Sequence, residues 1–367
     1  MSMARPTRLA GWLLAVSSCL VGNQTWAEVT IGFERLVIEA PDGGRTLDVA
    51  LWYPTTDTTP SQLIADNPAF IGEWAKPGAR PRQGPLPLVV TSHGFGGNWR
   101  NQGWLGAKLA RRGYLVAAPN HPGTTSRDSS PVHAAELWER ARDISRVIDA
   151  LTDGDSEEQS ERARDLVVDT HRIAAVGHSL GGWTVLLLAG ARFSPAAFRR
   201  DCEQHPSLAS CRVYAQIGAG RTARERRRLA EPLTDTRVSA VVSLDLGLAR
   251  GLTPQSLAAI EIPVLVIAAG DGVHQAQVPP ALESGYLTTY LPPATSVAVS
   301  LDDASHFSFL GLCKPGAAAL LDEESPGDGI ICEEGGGQSR DKTHRQTVEL
   351  INAFLFRHWA GLTSSAP

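Results

Sequence analysis

The 367-residue sequence has no long basic run and no internal repeat. Beyond its N-terminal region it has no apolar stretch long enough to span a bilayer. Without a basic run, and with a formal net charge of -5, the chain is not expected to bind nucleic acid. Cysteine is scarce, at five residues, and no cysteine–histidine spacing fits a zinc site, so no metal is expected.

What is present begins with an export signal. Arg5 and Arg8 precede apolar residues 9–16, and Thr25-Trp26-Ala27 offers a small-residue cleavage site, which together read as a signal peptide over residues 1–27. A second reading exists. Val16-Ser17-Ser18-Cys19 is similar to the lipobox of bacterial lipoproteins, which would place a lipid on Cys19 and bring the protein to a membrane surface. Either reading exports the chain, to the periplasm or beyond. The four later cysteines are an even number in an oxidising compartment and point to disulfides. Three connectivities are possible; the local pairs Cys202–Cys211 and Cys313–Cys332 are the expectation.

The composition, 43% hydrophobic and 20% charged, is ample for a large core. Residues 29–40 and 46–54 read as two strands around the turn Pro41-Asp42-Gly43-Gly44, and residues 55–85 as surface loop. Continuous apolar runs of strand length then alternate with helical patterns. LPLVVTSHG, YLVAAPN, RIAAVG, VSAVVSLDL, PVLVIAAG and ATSVAVSL are the strands. Helices are expected at NQGWLGAKLARRG, residues 134–154, GGWTVLLLAG, PQSLAAI and the closing DKTHRQTVELINAFLFRHWAG. This alternation predicts an α/β fold, with a mostly parallel central sheet and helices on both faces. Residues 192–237 break the rhythm with a cysteine pair and the basic run RTARERRRLAEPL; they are read as a small inserted cap that shapes a substrate pocket.

The chemistry centres on IAAVGHSLGGWTVLLLAG, residues 173–190. Gly177-His178-Ser179-Leu180-Gly181 fits G-x-S-x-G, a weak signal alone. Its weight comes from the strand before it and the helix after it, because a nucleophilic serine must sit on a turn too tight for neighbouring side chains. A serine hydroxyl needs a base and an oriented partner. Ten histidines compete. His306 is favoured because it follows the last predicted strand, at the end of the sheet where such folds bind ligands. His274 is its best rival; His171 falls at the opposite end, His205 in the insert, and His344 and His358 on a solvated or half-buried face of the closing helix. Two carboxylates compete as the acid: Asp245, ending VVSLDL, and Asp271, ending VLVIAAGD. The oxyanion donors are assigned to the backbone N–H groups of Leu180, after the nucleophile, and Phe95, in the HGGG-like run His93-Gly94-Phe95-Gly96-Gly97. His93 is expected to orient that loop by a hydrogen bond.

TSHGFGG, YLVAAPNHPGTTS, LWERARDISRVIDAL, VGHSLGG, AVVSLDLGLARG and ASHFSFL, followed by a cysteine pair and the closing helix, resemble α/β-hydrolases of the predicted dienelactone hydrolase group, relatives of the platelet-activating-factor acetylhydrolases. The likeness runs from about residue 47 to 359. It implies an α/β-hydrolase fold with Ser179 as nucleophile and His306 as base. The acetylhydrolase relatives take their acid from the strand after the nucleophile helix, which carries over to Asp245. Dienelactone hydrolases proper and polyester hydrolases use an acid after the next strand, where Asp271 stands one residue early; the former also use a cysteine nucleophile, absent here. The implied reaction is carboxylic ester hydrolysis without cofactor or metal. The partner is a small-molecule or lipid ester: short-chain esters, short or oxidised phospholipid acyl groups, or polyesters. Acyl transfer, perhydrolysis or amide hydrolysis on the same site, and a non-catalytic binding protein on a hydrolase scaffold, are the rivals.

Overall fold

The computed structural model describes residues 29–40, 44–153, 165–270, 278–334 and 339–360. The expected signal segment with Cys19, most of the turn at 41–44, Asp271 and His274 lie outside the described residues.

Ten strands form one sheet in the order β10-β9-β8-β7-β5-β6-β2-β1-β4-β3. They are β1 Ile31–Ile38, β2 Leu47–Pro54, β3 Gln62–Ile64, β4 Glu73–Pro77, β5 Leu86–Ser92, β6 Leu115–Pro119, β7 Val168–His178, β8 Ala240–Leu244, β9 Val264–Ala269 and β10 Ser296–Leu301. From β10 to β6 every neighbouring pair is parallel. β2 turns the sheet antiparallel against β6 and β1. The buried runs become the inner strands because each is covered on both faces, which leaves no alternation to read.

The helices are α1 Gly103–Ala110, α2 Pro131–Ala135, α3 Glu139–Thr152, α4 Leu180–Leu188, α5 Pro195–Gln204, α6 Ala209–Ile217, α7 Ala223–Leu229, α8 Pro254–Ala258, α9 Ser284–Tyr290, α10 Ala317–Glu324 and α11 Arg340–Ala360. Two apolar clusters flank the sheet. One holds α3, α4 and the helices of the insert; the other holds α1 and α11. None of these helices is long and apolar enough to cross a membrane.

Three sequence expectations change. The stretch read as surface loop at 55–85 contains the hairpin β3–β4, which extends the sheet beyond β1. β3 has three residues and β4 five, too few for period-two alternation to stand out. The single helix expected over 134–154 is two, α2 and α3. His344 is fully buried rather than solvated: its ring stacks on Trp104 with centroids 3.6 Å apart, and Nε2 donates to the Leu310 carbonyl at 2.8 Å. Burial holds its pKa far down, at about 3.

The cysteines pair locally. Cys202–Cys211 joins α5 to α6, and Cys313–Cys332 closes the segment that carries α10.

Candidate active site

Ser179 occupies the turn between β7 and α4 with φ 56° and ψ −120°, a backbone state that is strained for a residue with a Cβ. The glycines around it permit the turn. A Cβ on Gly177 would stand 2.0 Å from the Gly181 carbonyl oxygen, and one on Gly181 would stand 1.8 Å from the Ser92 carbonyl oxygen. Ser179 is tied to the end of β8 and the turn after it: its N–H donates to the Leu244 carbonyl at 3.0 Å, and its carbonyl accepts from Gly247 N–H at 3.4 Å.

Asp245 follows β8 directly, with φ 39°. Its Oδ1 accepts the Ala269 N–H at 2.9 Å, and its Oδ2 meets His306 Nδ1 at 2.6 Å. His306 Nε2 lies 3.0 Å from Ser179 Oγ. An aspartate at physiological pH only accepts, so His306 carries its proton on Nδ1 and presents a bare Nε2 to the serine. His306 begins a short 3₁₀ turn after β10, as the strand order predicted.

His178 was not singled out from the sequence. Its Nε2–H donates to the His306 carbonyl at 2.8 Å, and the two rings lie 4.7 Å apart. Burial, and then the neighbouring His306, push its pKa well below the usual imidazole value, so it stays neutral. A histidine directly before the serine of the G-x-S-x-G pattern was the available signal. Leu180 is the first residue of α4, where a helical N–H has no intrahelical acceptor. Phe95 is half-buried in the loop after β5, and the neighbouring Gly94 sits so close that a Cβ there would be 3.1 Å from Ser179 Cβ. His93 Nδ1 is 2.7 Å from the Gly94 carbonyl, the loop contact expected of it.

Ser179, His306 and Phe95 open onto a cavity of about 530 Å³. Its walls come from 66–70, 93–102, 126–127 and 306–331. No lining residue belongs to 192–237, so the insert does not shape this pocket. Instead its apolar side chains Phe198, Leu208, Ile217 and Leu229 join the core beside α4, and Asp201 pairs with Arg250 on the turn that follows Asp245. The insert's helices pack their apolar side chains on the core and contribute no residue to the cavity.

Among the described residues one group of three, Asp201, Cys202 and Cys211, has metal-like spacing. Its two sulfurs are bonded to each other and offer no thiolate.

A parallel sheet with a strained serine turn between strand and helix, and a histidine and an aspartate at the same strand ends, defines the α/β-hydrolase class. The profile of the Alpha/beta hydrolase family matches residues 88–312, and the chain belongs to that family. Over 105 residues it is 33% identical to a cutinase of Thermobifida alba, covering 28% of this chain and 30% of the cutinase. Over 104 residues it is 30% identical to cutinase 2 of Thermobifida cellulosilytica, covering 28% of this chain and 34% of that protein. The chain thus spans about a third of the length of the curated relatives it matches. A ferulic acid esterase from Streptomyces cinnamoneus superposes with a TM-score of 0.61 over 92% of both chains at 22% identity, a likeness of fold.

Proposed function

We propose that the protein is an exported serine hydrolase of carboxylic esters, with Ser179 as nucleophile, His306 as base and Asp245 as acid. The observation that carries this reading is the continuous hydrogen-bonded line from Asp245 through His306 to Ser179, ending at the cavity. Ser179 Oγ attacks the acyl carbonyl as its proton passes to His306 Nε2. The imidazolium is stabilised by Asp245, and the oxyanion by the N–H groups of Phe95 and Leu180. Collapse breaks the ester C–O bond, and His306 returns the proton to the leaving alcohol. Water, deprotonated by the same nitrogen, then frees the acid and regenerates Ser179.

The family resemblance favours short-chain or lipid-derived esters of the platelet-activating-factor acetylhydrolase type. The local likeness to cutinases favours a second reading, a polyester-cleaving enzyme. Two disulfides support export. A fluorophosphonate probe is expected to label the wild type and not Ser179→Ala; an unlabelled wild type would mean a binding protein. Rates on an ester panel graded by chain length, with a platelet-activating-factor analogue and a soluble polyester, separate the two substrate readings.

A further inference from the structure

A second Ser–His–Asp array lies beneath the active site. Ser92 Oγ meets His121 Nε2 at 2.9 Å, and His121 Nδ1 meets Asp143 Oδ2 at 3.0 Å. Arg45 grips the same carboxylate, at 2.8 Å from Oδ2 and 3.4 Å from Oδ1. Ser92, His121 and Asp143 are all at most 1% exposed, so no substrate reaches them. Their partners assign the protons. Asp143 accepts from Nδ1–H of His121, the bare Nε2 accepts from the Ser92 hydroxyl, and the Ser92 oxygen accepts from Arg140 Nη2 at 3.2 Å.

Arg140, on α3, is fully enclosed and spends its whole fork on this region. Nε donates to Thr184 Oγ1 at 3.1 Å, Nη1 to Thr124 Oγ1 at 2.5 Å, and Nη2 also to the His93 carbonyl. His93 is held a second time, because its Nε2 accepts the His121 backbone N–H at 3.0 Å. That leaves His93 protonated on Nδ1, which donates to the Gly94 carbonyl; Gly97 N–H donates to the same oxygen at 3.1 Å. Thr124, whose hydroxyl Arg140 holds, accepts Gly96 N–H on its backbone carbonyl at 3.0 Å.

The consequence follows from peptide geometry. In a trans peptide the N–H points away from the C=O of the same unit. Two donors that fix the Gly94 carbonyl therefore aim the Phe95 N–H the opposite way. We propose that Arg140, backed by Ser92, His121 and Asp143, is a positioning residue that aims the Phe95 N–H at the developing oxyanion. This rests on the ester-hydrolase reading above. Burial lowers the Arg140 pKa to about 9, which still leaves a cation at neutral pH. The same burial, followed by the Arg140 charge, holds both His93 and His121 neutral, as their hydrogen bonds require.

The test compares wild type, Arg140→Lys and Ser92→Ala. Lysine keeps the charge but loses the planar fork. Active sites are counted with a fluorophosphonate, so that misfolded molecules drop out. In Arg140→Lys, kcat per titrated site is expected to fall about 10- to 100-fold while KM stays within about two-fold. Inhibition by a trifluoromethyl ketone, whose hemiketal oxygen occupies the oxyanion position, should weaken by the same factor. Ser92→Ala, which removes one hydroxyl, should lose about ten-fold in kcat and decides the matter if Arg140→Lys does not fold. Unchanged kcat per site, whatever happens to thermal stability, overturns the positioning role. An unlabelled, inert wild type instead overturns the hydrolase reading.

Discussion

Asp245→Asn tests the proposed acid, and the structure says how the substitution should fail. Asparagine has one oxygen and one NH2 where aspartate has two acceptors. Ala269 N–H points at Oδ1 and demands an oxygen there. The NH2 must then occupy the Oδ2 position, 2.6 Å from His306 Nδ1. A donor at that place forces Nδ1 to become the acceptor and moves the imidazole proton to Nε2. That nitrogen, 3.0 Å from Ser179 Oγ, can no longer take the serine proton. A wrong tautomer in such a triad costs about 10³- to 10⁴-fold in kcat, about 4 to 5.5 kcal/mol of barrier. The assay is kcat on a p-nitrophenyl ester per titrated active site, at neutral pH, with the fold checked by circular dichroism. A loss below about ten-fold would refute the tautomer reasoning. It would pass the acid role to Asp271, whose Asn variant then becomes the inactive one.

Other consequences can be measured directly. Gly181→Ala places a methyl 1.8 Å from the Ser92 carbonyl oxygen and should destabilise the fold by about 3 kcal/mol, read as a lowered urea midpoint. Removing Cys313–Cys332, which closes a separation of 19 residues, should cost about 3 kcal/mol and also raise KM, because Leu320, Leu321 and Ile331 inside that loop line the cavity; an unchanged KM would speak against that wall. Glu283 is fully buried, and burial, with the charges of Asp245 and Asp201 adding to it, raises its pKa from 4.5 to about 7. The unfolded chain releases this proton first, so the group's contribution is complete below pH 4.5. It is lost as pH rises to about 7, a fall of about 3 kcal/mol. Glu283→Gln should flatten the dependence of Tm on pH across that window, and an unaltered slope would place the titration elsewhere.

The sheet and the serine turn were legible because both are local. A strand buried on both faces is a continuous apolar run, and a tight strand-to-helix turn needs glycines within two residues of the serine. Asp245 was harder: its neighbours and those of Asp271 carry similar patterns, and only a contact across 61 residues of chain links Asp245 to His306. The cavity walls were hidden, since residues 66–70 and 306–331 have no shared periodicity and meet only in space. The buried network was missed for another reason. Residues 134–154 were read only as a helix, yet Arg140, Ile144, Val147 and Leu151 fall on one helical stripe, and all are buried. An arginine inside an apolar stripe was the signal.

Two of the cavity's walls are sewn to each other. Ile71 N–H donates to the Leu312 carbonyl and Lys314 N–H to the Ala69 carbonyl, both at 2.8 Å, and Lys314 pairs with Asp66 at 2.7 Å. Neither seam segment, 66–71 nor 312–314, belongs to the alternating strands and helices that hold Ser179 and Asp245. These two walls are therefore built by parts of the chain separate from those that carry Ser179 and Asp245, while the Phe95 loop serves both the cavity and the proposed chemistry. In any recombination between homologues the hairpin and the disulfide loop have to travel as a single cassette, since either one alone would arrive without its seam.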